Sequence, residues 1–148
     1  MLASYTTMFF GKGRSCMQPE NGSPADWIRR AKGDLALARL PITGDLVLED
    51  LCFHAQQAAE KSIKAVLTAA GISFPKTHNL YALFDLLPEG TQLPHEDARV
   101  ARLTEYAVAA RYPGTDEPLT EEERNEAVHL AESVLRWAED ILNRAGAF

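Results

Sequence analysis

At 148 residues, with 46% hydrophobic and 8% aromatic content, the chain has the size and composition of one globular domain with its own core, which argues against two domains. Two cysteines, Cys16 and Cys52, are too few for a disulfide framework and suit reduced thiols in the cytoplasm, and no apolar run reaches the roughly 20 residues that span a bilayer. The net charge of −6 is concentrated in residues 114–148, which carry three basic and nine acidic side chains, so binding of nucleic acid over the whole surface by phosphate neutralisation is disfavoured.

In chain order, residues 1–22 read as an N-terminal leader or extension: their apolar patch is short and is followed, not preceded, by Lys12 and Arg14, unlike a secretory signal. Residues 23–146 read as the folded domain. Ser23-Pro24-Ala25-Asp26 opens the first helix, with Ser23 as cap, Pro24 in the first turn and Asp26 at the positive end of the dipole; the helix runs to about Leu40, where Pro41 stops it. A second begins near Leu46 to Leu48 and ends at Gly71, with Leu48, Leu51, Cys52, Ala55, Ala58, Ala59, Ile63, Val66 and Ala70 as its buried face. A short third helix covers about Leu80 to Leu87, with Asn79 as its cap, and a fourth runs from about His95 to Ala110 and closes at Arg111-Tyr112-Pro113-Gly114. The fifth starts at Thr120, in capping-box relation to Glu123, and ends at Gly146; Ala127, Leu130, Ala131, Val134, Ala138, Ile141 and Leu142 form its core stripe. Four long helices and one short one, joined by short connections, predict an all-α, up-and-down antiparallel bundle.

Three motifs carry chemistry. On the second helix His54, Gln57, Lys61 and Lys64 follow one another at spacings of three and four and share a face, so two ammonium groups, an amide and an imidazole line up as a phosphate or nucleotide contact. The same residue types suit an ordinary solvated face, and Glu60 stands at i, i+4 to Lys64. Arg111 and Tyr112 would present a guanidinium for phosphate and a ring for stacking, although an arginine in a last helical turn also favours the negative end of the dipole. His78, beside Lys76 and ahead of a helix, is an acid, base or phosphate contact, or a helper of the Asn79 cap. Glu126 and His129 form one Glu-x-x-His unit; the second unit that a di-iron bundle requires is missing, and no metal or cofactor is expected.

Taken together, FHAQQAAEKSIKAVL at 53–67, KTHNL at 76–80, EYAVAARYPG at 105–114 and the long alanine-rich terminal helix resemble the HEPN domain family over about residues 24–145. The resemblance implies a helical bundle that commonly dimerises, with a polar cleft at the subunit interface. It also implies nucleotide binding, partnership with a minimal nucleotidyltransferase in two-component toxin–antitoxin modules, and, in other branches, RNA cleavage. The ribonuclease branch carries an arginine separated by four to six residues from a histidine; after Arg111 those positions hold Asp116, Glu117 and Pro118. The likeness is therefore to the nucleotidyltransferase-associated branch. The expectation is a non-enzymatic cytoplasmic homodimer that binds a nucleotide or phosphorylated ligand through Gln57, Lys61, Lys64, His78, Arg111 and Tyr112. Two alternatives stand beside it: an endoribonuclease using His78 with Arg111, and a non-catalytic interaction module whose polar stripe makes hydrogen bonds between helices or subunits.

Overall fold

The computed structural model describes residues 22–94, 97–109 and 117–148, and among these it is entirely helical. The elements are α1 (Pro24–Ala38), α2 (Leu48–Ala69), α3 (Leu80–Phe84), α4 (Asp97–Ala101), α5 (Leu103–Ala109) and α6 (Glu121–Arg144). The leader, the expected helix start at His95, and Arg111 and Tyr112 lie outside the described residues.

Local chemistry fixes the helix ends. Ser23 and Asp26 form a reciprocal capping box at α1, and Thr120 and Glu123 form one at α6. The backbone N–H of Ser23, bonded to the Asp26 carboxylate, holds that carboxyl below its ordinary range. α2 and α6 both end in paired backbone bonds around a left-handed glycine. Gly71 (φ 74°) lets Ile72 N–H reach Leu67 O at 2.9 Å, and Gly146 (φ 69°) lets Ala147 N–H reach Leu142 O at 2.9 Å. Asn79 caps α3 by accepting from Tyr81 N–H at 3.0 Å.

Three boundaries depart from the sequence expectation. α1 ends at Ala38 instead of Leu40, and Leu40 N–H bonds Leu37 O in a tighter turn. α3 ends at Phe84, but three-residue turns from Leu83 to Leu86 and from Phe84 to Leu87 carry its coil onward. The expected fourth helix is two, broken at Arg102. Its pieces have different neighbours, α4 packing on α3 and α6 while α5 packs on α2, so a bend between them lets Val100 and Ala101 on one side and Leu103 and Ala107 on the other all be buried.

α2 is the central element, contacting α1, α3, α5 and α6. Of its 22 residues, 14 are buried, so its surround is closed on most of the circumference. Ala55, Ala58, Ala59, Ile63 and Val66 lie in the core as their spacing predicts, and the alanines allow the neighbouring helices to come close. No described helix is long and apolar enough to cross a membrane.

Candidate functional site

The stripe on α2 is not open surface. It divides into two part-buried polar clusters, each organised by a buried carboxylate. In the first, Asp34 of α1 reaches across to α2: its Oδ1 lies 2.9 Å from His54 Nδ1, and its Oδ2 accepts from Lys61 Nζ at 2.5 Å. Asp34 stands on the core face of α1, three residues after Ala31 and four before Ala38, so the helix period itself turns it inward.

In the second cluster Glu60 is the hub. Lys64 Nζ donates to its Oε1 at 2.9 Å, and Gln56 Nε2 and Gln57 Nε2 donate to Oε2 at 3.1 and 3.2 Å. His78 Nδ1 lies 2.9 Å from the same Oε2. Gln56 also donates to the backbone carbonyl of His78 at 3.0 Å and accepts from Gln57 at 2.8 Å. Lys64 is enclosed further by aromatic rings, its Nζ 5.4 Å from the centroids of both Trp27 and Phe74.

Proton counting assigns the histidine. The Gln57 amide has two N–H groups, and the Gln56 oxygen and the Glu60 carboxylate take both. His78 Nδ1, 3.3 Å from that amide nitrogen, then carries a proton and donates it to Glu60. In the neutral ring Nε2 is left as the acceptor. The Glu60 side chain is 3% exposed and that of His78 44%, so a buried anion fixes an imidazole whose far side meets solvent.

Of the residues singled out in the sequence, Gln57, Lys64 and His78 therefore come together around Glu60, while Lys61 joins His54 at Asp34. Both lysines already hold a carboxylate within the fold. Three hub residues escaped the sequence reading as site members: Asp34, Gln56 and Glu60. A signal was present, since Gln56 follows Cys52 by four and precedes Ala59 by three, and Glu60 precedes Ile63 by three, which places both polar side chains on the apolar face. Elsewhere, Glu126 of the Glu-x-x-His unit forms ion pairs with Arg99 and Arg102 at 3.3 and 3.6 Å. Desolvation pushes the buried Cys52 thiol up to about 12, so it is neutral at pH 7 and is no thiolate nucleophile.

Comparison with known proteins agrees with this architecture. The crystal structure of TT1696 from Thermus thermophilus is 30% identical and superposes with a TM-score of 0.67, covering 79% of this chain and 96% of that one. The crystal structure of ST0689, described as an archaeal HEPN homologue, is 27% identical with a TM-score of 0.63, covering 82% of this chain and 99% of that one. No curated protein matches. The profile of the HEPN domain matches residues 24–141, nearly the whole helical region, and the chain belongs to the HEPN domain family.

Proposed function

We propose that this chain is a cytoplasmic, non-enzymatic homodimer that binds a nucleotide or other phosphorylated ligand and partners a minimal nucleotidyltransferase, as in a two-component toxin–antitoxin module. Membership of the HEPN family supports the general setting. The observation that carries the binding reading is the Glu60–His78 pair: a buried carboxylate holds Nδ1–H of a half-exposed imidazole, so that in the protonated ring Nε2–H is already oriented to donate to an anion. Lys64 and Lys61 offset the charges of Glu60 and Asp34, so the surroundings of His78 do not repel a phosphate. Gln57 holds the pair in place, and Arg111 and Tyr112 are assigned to the same ligand as phosphate and ring contacts. Titration of ATP into the purified protein by calorimetry tests this: a saturable heat is expected, at least tenfold weaker in affinity for His78→Ala and Arg111→Ala. Absence of heat ends the ligand-binding reading, and an unchanged affinity in His78→Ala removes His78 from the site.

The same pair favours a second reading, an endoribonuclease using His78 with Arg111, because a carboxylate that fixes Nδ1–H leaves Nε2 as the proton acceptor, the arrangement of a general base. Incubation with RNA separates the two: cleavage that disappears in His78→Ala supports the nuclease, and intact RNA at high protein excess excludes it.

A further inference from the structure

We infer that the outer flank of α6 forms a separate binding site for a small planar-ring phosphate of the nucleoside monophosphate class. An open cavity of about 320 Å³ lies there, lined by Pro94, Ser133, Arg136, Trp137, Asp140 and Arg144. Spacings of three and four link Ser133 to the adjacent Arg136 and Trp137, those two to Asp140, and Asp140 to Arg144, along one flank of the helix away from the stripe of Ala127, Leu130, Ala131, Val134, Ala138 and Leu142 that faces the core. Trp137 is already immobilised. Its indole N–H donates to Gln92 O at 2.7 Å and its ring packs against the core, so the surface that remains is a preformed apolar wall.

The charges beside that wall hold no ion pair among the described residues. Arg39, Arg99, Arg102 and Arg124 each hold a glutamate, whereas neither Arg136 nor Arg144 has a carboxylate within ion-pair distance among the described residues. Asp140, one turn from each, is also outside any ion pair among them. A guanidinium matches a phosphate in two-point geometry, an indole accepts a flat ring, and Asp140 can accept a hydrogen bond from a ring amino group or a sugar hydroxyl. The volume sits near the low end of the roughly 300–1,000 Å³ of small-molecule pockets, which suits one ring system with its phosphate. None of the residues lining this cavity belongs to the His78 cluster.

The chain has two tryptophans, so Trp27→Phe leaves Trp137 as the sole indole reporter. Adenosine monophosphate titrated into that variant is expected to change the fluorescence saturably. The apparent Kd should rise at least tenfold when Arg136→Ala and Arg144→Ala are combined, and should be unaffected by His78→Ala. If Trp27→Phe does not fold, the indole N–H resonance of Trp137 in the native protein gives the same readout. No saturable response, equal affinity in the double arginine variant, or loss of the response in His78→Ala each overturns the site. A response here without ATP heat at His78 would leave this site standing and remove the other.

Discussion

Lys64 is a cation with 8% of its side chain exposed, and the carboxylate bound to its Nζ, Glu60, is more buried still. Both charges lose hydration in the fold, so each depends on the other and on the amide and imidazole donors around Glu60. Removing one partner strands the remaining charge: Glu60→Ala is expected to destabilise by about 3–5 kcal/mol, read from urea denaturation. Adding Lys64→Met to that variant should recover part of the loss, because the stranded ammonium goes and the methionine can pack against Trp27 and Phe74. If the double variant is no more stable than Glu60→Ala, the lysine is not the stranded group. This cluster was half legible in the sequence. The i, i+4 relation of Glu60 and Lys64 was visible, but the rings over the ammonium come from residues 37 positions before it and ten after it, beyond any local pattern.

Helix ends are set by chemistry within a few residues, and the capped starts and glycine ends were readable in the sequence, whereas the C-terminal ends of α1 and α3 were not. Ser23, Asn79 and Thr120 all cap as their positions predict, and Gly71 and Gly146 take the left-handed conformation that ends α2 and α6. Thr120→Ala should cost about 1 kcal/mol, since Glu123 N–H loses its acceptor, while Thr120→Ser should cost little; thermal unfolding of the three proteins checks the order. The break at Arg102 was not readable in the same way. Residues 97–109 keep a helical composition throughout, and the bend arises because α4 and α5 pack on different neighbours.

Arg124 shows how distant parts of the chain are tied together. From the first turn of α6 its Nη1 donates to Ala38 O at 2.9 Å and Leu40 O at 2.8 Å, supplying the donors that the C-terminal end of α1 lacks. Arg124→Met should therefore destabilise by about 2–3 kcal/mol, because two carbonyls lose their partner in a largely buried place. Glu121→Gln, which removes only the exposed carboxylate paired with the same guanidinium, should change stability by less than about 1 kcal/mol. Equal losses in the two variants would show that the ion pair, and not the carbonyl contacts, is what matters.

The sequence by itself determined the helical class, the caps, most of the apolar face of α2 (Ala70, at its end, is exposed) and the family likeness, since each rests on residue spacing or on contacts a few positions long. It also placed His54, Gln57, Lys61 and Lys64 on one side of α2. Only the tertiary structure decided what that side does, because the partners that split it lie on other elements: Asp34 on α1 claims His54 and Lys61, and the loop that carries His78 closes over Gln57 and Glu60. Spacing along a helix says which side chains share a face. The partners that meet that face arrive from 18 to 27 residues away, and their arrival turns a row of polar residues into two satisfied clusters with the His78 imidazole left facing solvent.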